Sequence, residues 1–307
     1  ELHPTNRRQR QMCIRDSYNT LGVAKYLMSR HVRHVNYKVV LTGEGSDELF
    51  AGYPAFRRDM FLHGQDHLSN GDQEQSQKRL DQANALVTGA MLAAKPVEDP
   101  HLTAAVGFTP SCLQPWLACA PLVPSLLSKD RREAMQGYEP GKAIAAALDR
   151  TQMEERHVLD RAQYVWIKTM LEGQILTWGG DRVDMANSME ARPPFLDHHL
   201  AAVAVQVPPE LRIKDQREKH VLREAVAGLL PERLYHREKF AFMAPPAHAD
   251  DDKLQKLDQL VQAHLSQEAI EACGLLDPEG VQELLKRHRS AETPAHERVQ
   301  LDAMVNH

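Results

Sequence analysis

The sequence has no apolar run of the ~18 residues that a membrane span needs, and no apolar stretch follows its polar, arginine-rich start as a secretory leader would require. Cysteine is scarce. Cys13, Cys112, Cys119 and Cys273 are widely spaced and none forms a CxxC pair, which points to reduced core thiols rather than a disulfide framework or a zinc site. Charge of one sign is also lacking. The net charge is −5 and the basic residues are scattered beyond the first fifteen positions, so no nucleic-acid partner is expected. Together these absences make the cytoplasm the expected compartment, without a membrane. What remains is ordinary for a soluble globular protein, with 42% hydrophobic and 26% charged residues, and the 307 positions suit one large domain or two.

The stretch around which the chain is organised runs from Lys38 to Tyr53, KVVLTGEGSDELFAGY. Lys38 to Leu41 read as a short buried strand. Thr42, Gly43, Glu44, Gly45 and Ser46 make a polar turn, and Asp47 to Phe50 open a helix with Ser46 as its expected N-cap. Glycines let a ligand approach the backbone, and a helix start favours phosphate oxygens. Three acids, Glu44, Asp47 and Glu48, suit phosphate only if a divalent cation lies between, and Mg²⁺ bound through one or two carboxylates plus substrate phosphates resolves that conflict. Asp47 and Glu48 are the expected metal ligands. Read from spacing alone, the turn stays open between a nucleotide site and an ordinary α/β crossover without a ligand.

Elsewhere the pattern is mainly helical. Residues 1–16 lack periodicity, carry four arginines and are similar to translated sequencing-adapter sequence, so they are expected to be foreign to the fold. Leu21, Val23, Ala24, Leu27 and Met28 predict an amphipathic helix with its apolar stripe inward. Helix, strand and helix in succession predict a parallel sheet buried on both faces. Residues 64–84 read as an exposed loop and helix, and the prolines at 96, 100, 110, 115, 121 and 124 predict short broken helices. Residues 154–178 predict one long helix stopped by Gly179 and Gly180, with Trp166 and Met170 as plain core. In residues 179–199 six charges, Asp181, Arg182, Asp184, Glu190, Arg192 and Asp197, interleave with large apolar residues, which implies an ion-pair network before Pro193 and Pro194 end the helix. For Glu190 and Arg192 a purely structural latch is equally open. Residues 218–230 predict a helix closed by Pro231. Lys239, on an irregular segment, fits either a surface position or a cation for phosphate charge.

An ordered series of blocks resembles one family. YLMSR (26–30), VVLTGEGSDELFAGY (39–53), GDRVDMANSMEARPPFLD (180–197), KHVLREAV (219–226), LLPERL (229–234) and REKFAF (237–242) are similar to successive blocks of the synthetase domain of glutamine-dependent asparagine synthetases. The resemblance implies an α/β fold: a nucleotide-binding parallel-sheet layer like that of N-type ATP pyrophosphatases, truncated here, followed by a mainly helical region, with residues 17–307 as the synthetase-like domain. It implies that ATP adenylates the carboxylate of aspartate and that ammonia, released from glutamine in a separate glutaminase domain, attacks the adenylate. By position it implies Thr42, Gly43, Gly45 and Ser46 at the nucleotide, and Glu44 and Asp47 at the reacting centre. It further implies Lys239 on phosphate charge, Arg182 shaping the site, Asp181, Glu190 and Arg192 in neighbouring ion pairs, and Mg²⁺ as cofactor. It allows a homodimer, with no interface legible in the sequence.

This chain departs from the family pattern. The Ser-Gly-Gly-x-Asp-Ser pyrophosphate loop and the glutaminase domain are absent from these residues, and REKFAF carries alanine where glycine is common. A fragment inactive by itself is therefore expected. The alternatives are a β-lactam synthetase-like or peptide-cyclising ligase that adenylates another carboxylate, and a catalytically silent binding or scaffold module.

Overall fold

The computed structural model describes residues 21–64, 78, 92–93, 96–237, 251–290 and 292–306. Most of residues 64–84 lie outside them, as does Lys239 with the rest of its segment after Arg237. The chain divides into two compact units, each drawn from two stretches: Glu1–Ala83 with Asp149–Met243, and Asn84–Leu148 with Ala244–His307.

The first unit is mixed α/β. Helix α1, Leu21–His34, places His31, Arg33 and His34 in its last turn, where positive charge meets the negative end of the helix dipole. Strand β1, Val39–Leu41, pairs in parallel with β2, Glu190–Arg192, in the register Val39↔Glu190, Val40↔Ala191 and Leu41↔Arg192. The expected parallel pairing forms, but the expected burial on both faces does not: Val39 is 39% and Leu41 76% exposed. A strand is covered on both faces only when elements lie on both, and here its described neighbour is one short strand that is itself exposed at Glu190 and Arg192. Strand β2 is a further correction. Residues 182–186 form a helix, Ser188 takes a left-handed turn at φ 55°, and the chain is already extended before Pro193.

Helix α1 is also turned over relative to its sequence pattern. Val23, Leu27 and Met28 face outward, and the buried face carries Lys25 and Ser29. The long helix forms as read over Val158–Trp166, with Leu159, Ala162 and Val165 fully buried. It does not stop at the glycines. Beyond Trp166 its turns widen, Leu176 N–H donating to the Leu171 carbonyl and Asp181 N–H to the Leu176 carbonyl, five residues back in each case. The path continues through Gly179 and Gly180 into Arg182–Ala186. The helix expected over 218–230 is confined to His220–Ala225.

The second unit is helical among its described residues. Short helices with a proline in the first turn, Pro100–Val106, Gln114–Cys119 and Val123–Leu126, fulfil the broken-helix reading, and Pro140–Ala147 follows them. Gln267–Cys273, Pro278–Arg289 and Ala295–Asn306 follow later in the chain, and a core of Leu126, Val261, Ile270, Val281, Leu284, Leu285, Leu301 and Val305 joins the unit. His288 and Asp302 form a buried pair inside it. Cys112 and Cys119 are buried free thiols as expected, whereas Cys273 is exposed at a helix end.

Candidate functional site

The polar turn after β1 is built from the backbone outward. Thr42 N–H donates to the Arg192 carbonyl at 3.0 Å, carrying the ladder one residue beyond the strand. Gly45 is held at φ 91°, a left-handed conformation that a side chain would strain, and a Cβ there would lie 2.3 Å from Leu196 Cδ2. Helix α2, Ser46–Leu49, is a single turn whose N-cap is Gly45 rather than Ser46. The reason is Glu48, whose Oε2 accepts from the Gly45 N–H at 3.1 Å, the reach-back half of a capping box. Leu49 and Phe50 then anchor the turn in an apolar cluster with Ala204, packed by Ile167, Phe195, Leu200, Val221 and Leu222.

Glu48 is structural on this geometry. Its Oε1 accepts from Tyr53 Oη at 2.8 Å and from Trp166 Nε1 at 3.3 Å, and the indole of Trp166 stacks on the Tyr53 ring at 4.2 Å. Burial raises the Glu48 carboxyl above its ordinary range. Burial, with the carboxylates of Glu48 and Asp47 beside it, pushes the Tyr53 phenol well up. Behind Glu48, Gln163 donates to its carbonyl, Arg212 donates to Gln163, and Arg212 also pairs with Asp160. Trp166 is thus a partner of the acid turn and not plain core.

Glu44 and Asp47 sit differently, each beside one lysine. Lys25 Nζ lies 3.5 Å from Glu44 Oε1 and 3.7 Å from Asp184 Oδ2, and Ser29 Oγ bonds the other oxygen of Asp184. Lys219 Nζ lies 2.9 Å from Asp47 Oδ1 and donates to Ser46 Oγ at 3.0 Å. Among the described residues, then, Glu44 and Asp184 share Lys25, and Asp47 pairs with Lys219. The Oε2 atom of Glu44 and the Oγ1 of Thr42 are buried without a hydrogen-bond partner among the described residues. A Cβ on Gly43 would meet nothing within 4 Å among the described residues, so the turn opens on free space there.

The structure brings Thr42, Gly43, Glu44, Gly45, Ser46, Asp47 and Glu48 together in one turn. Glu190 and Arg192 lie next to it on β2, where they bond each other (Arg192 Nε to Glu190 Oε1, 2.8 Å) on an exposed face. That bond holds the Glu190 carboxyl below its usual range and the Arg192 guanidinium above its own. Asp181 is exposed and makes no ion pair among the described residues. Arg182 is half-buried at the head of the helix that packs on α1, and Asp184, two residues on, is the buried charge of that stretch. Sequence reasoning placed Asp184 in the ion-pair network of its stretch, as the structure bears out, but missed Lys25, Lys219 and the role of Trp166. For Lys25 the available signal was a charge placed among apolar residues of a helix.

Comparison with known proteins adds a family. The asparagine synthase model matches residues 9–306. The chain is 31% identical over 290 residues to amidase chyE of Penicillium rubens, covering 89% of this chain and 41% of that protein. It is 31% identical over 237 residues to the glutamine-hydrolyzing asparagine synthetase 1 of Bacillus subtilis, covering 74% of this chain and 34% of that one. A putative glutamine-hydrolyzing asparagine synthetase of Mycobacterium tuberculosis is 29% identical over 273 residues, covering 87% and 38%. The chain thus spans about a third to two fifths of the length of these relatives.

Proposed function

We propose a function from one premise: the chain belongs to the asparagine synthase family. In this reading the first unit carries the nucleotide part of an ATP-dependent, amide-forming ligase, on a layer like that of N-type ATP pyrophosphatases. The observation that supports it best is the meeting of Glu44, Asp47 and Ser46 with two lysines on a strand–turn–helix that opens on free space at Gly43.

The reaction so proposed has two steps. An oxygen of the substrate carboxylate attacks the α-phosphorus of ATP, the bond to the β-phosphate oxygen breaks, and pyrophosphate leaves. Ammonia then attacks the acyl carbon of the adenylate, loses a proton, and AMP leaves with the bonding electrons, which yields the amide. The protein must hold two anions together and meet charge that moves between them. Thr42, Gly43, Gly45 and Ser46 are the proposed nucleotide contacts, with Glu44 and Asp47 at the reacting centre. Arg182 is proposed to shape the site, and Lys239 to meet phosphate charge. Mg²⁺, when bound, supplies further neutralisation of the phosphates. No three metal-ligating side chains converge among the described residues, and Glu48 already accepts three hydrogen bonds. An ion held by Asp47 and Glu44 together with phosphate oxygens fits this donor set, and an all-protein cage does not.

Aspartate as the acceptor, ammonia delivered from glutamine by a separate domain, a homodimer and a cytoplasmic location belong to the same proposal. No helix among the described residues is long and apolar enough to cross a membrane. A second reading has an observation of its own: two fungal relatives, at 31% and 30% identity, bear the name amidase. It keeps the adenylation chemistry and changes the carboxylate, as in a β-lactam synthetase-like or peptide-cyclising ligase.

Calorimetric titration of the chain with Mg·ATP tests the proposal, beside a Glu44→Ala, Asp47→Ala control. Binding by the unaltered chain that the control loses supports it. No binding by a folded chain favours a silent scaffold instead. ATP–pyrophosphate exchange across a panel of carboxylates then separates aspartate from other acceptors.

A further inference from the structure

We infer that Lys219 is a positioning residue of this site, fixing Asp47 and Ser46 in the arrangement that receives a nucleotide. The inference rests on the nucleotide reading above and adds a residue to it. The Lys219 ammonium bridges two successive side chains of the turn, the Asp47 carboxylate at 2.9 Å and the Ser46 hydroxyl at 3.0 Å, from a segment 173 positions away from Ser46. A hydroxyl oxygen that accepts from an ammonium keeps its own hydrogen to donate elsewhere. The lysine therefore sets the direction of the Ser46 O–H as well as the rotamer of Asp47.

Three features show that the bridge is built in. Lys219 sits at φ 54°, ψ 33°, a left-handed conformation seldom adopted by residues with a side chain, and Asp215 and Gln216 just before it are left-handed too. The neighbouring Glu218 is buried and pinned from two sides, by Arg57 at 3.6 Å and Arg223 at 3.1 Å, which fixes the backbone from which the lysine reaches. Gly52 supplies the passage. A Cβ there would lie 2.0 Å from Asp47 Oδ1 and 2.3 Å from Lys219 Cε, so the pair occupies the space that a side chain at position 52 would take.

The test uses the full chain, Mg·ATP calorimetry and thermal melting of the nucleotide-free protein. Lys219→Met is expected to weaken Mg·ATP binding about tenfold, the scale of one charge-assisted contact. Lys219→Arg, which keeps the charge, is expected to recover most of that loss. Gly52→Ala keeps both charges and drives a methyl group between them, so it is expected to weaken binding similarly, and it decides the matter if Lys219→Met does not fold. Affinity unchanged in a folded Lys219→Met protein overturns the inference. So does a lowered melting temperature with unchanged affinity, because that is a plain structural tie. Weak binding by Lys219→Met with full affinity in Gly52→Ala also overturns it, since the lysine then meets the nucleotide directly. Absence of binding by the unaltered chain sinks the nucleotide reading itself, and the inference with it.

Discussion

At the scale of single residues, the acid turn separates carboxylates by environment. Glu48, 2% exposed and bonded by Tyr53, Trp166 and Gly45, has a pKa raised above 4.5 by burial. A carboxyl raised in this way holds its proton more tightly when folded. Its contribution to stability is full below the unfolded value and is lost as pH rises through the folded one. The urea midpoint of the native chain is therefore expected to fall more than that of Glu48→Gln as pH rises above the ordinary carboxylate range. Parallel pH profiles in the two proteins would refute this assignment. Lys25 tests the opposite case, because it faces the fully buried Asp184. Lys25→Met leaves that carboxylate uncompensated and is expected to cost about 3–5 kcal/mol in chemical denaturation. Glu44, Ser46 and Asp47 were legible as a site because the glycine turn places them together in sequence. Lys25 and Lys219 were not. Their significance lies in partners at long range, with Asp184 lying 155 positions beyond Ser29, one helical turn from Lys25, and periodicity carries no information about such pairs.

At the scale of elements, the sequence pattern located helices well and assigned their faces less well. Helix α1 has an apolar stripe at helical spacing, yet the unit buries its polar side, because Lys25 and Ser29 there satisfy Asp184 and Glu44. Leu27→Gln, at a position 48% exposed, is expected to change stability by less than about 0.5 kcal/mol. Ser29→Leu places a large apolar group against Asp184 and is expected to destabilise by about 1–3 kcal/mol. Reversal of that order in urea denaturation would show that the helix packs by its apolar stripe after all. Gly179 and Gly180 read as a stop because glycine disfavours regular helix, but the widened turns before them carry the backbone through. Strand β2 escaped notice for a simple reason. Glu, Ala and Arg have little strand preference, and the ladder with β1 holds them extended.

At the scale of the whole molecule, the chemistry-bearing residues described here belong to the unit of Glu1–Ala83 and Asp149–Met243, while the other unit has its own apolar core. Leu301 is completely buried in that core, so Leu301→Ala is expected to cost about 2–5 kcal/mol there. Hydrogen exchange should show the loss in the helices Pro278–Arg289 and Ala295–Asn306. Unchanged protection in those helices would refute it. The split itself was not legible, because both units are assembled from segments distant in sequence.

The stacked pair of Tyr53 and Trp166 has an optical consequence. The indole N–H of Trp166 ends on the same carboxyl that caps the acid turn, and a phenol ring lies against its face. Light absorbed by the tyrosine passes readily to an indole so near, and the indole's emission responds to the charge on Glu48. With three tryptophans in the chain, Trp166→Phe subtracts one contribution and identifies it. The turn thus has a built-in fluorophore, through which its rearrangement can be followed in real time without a label.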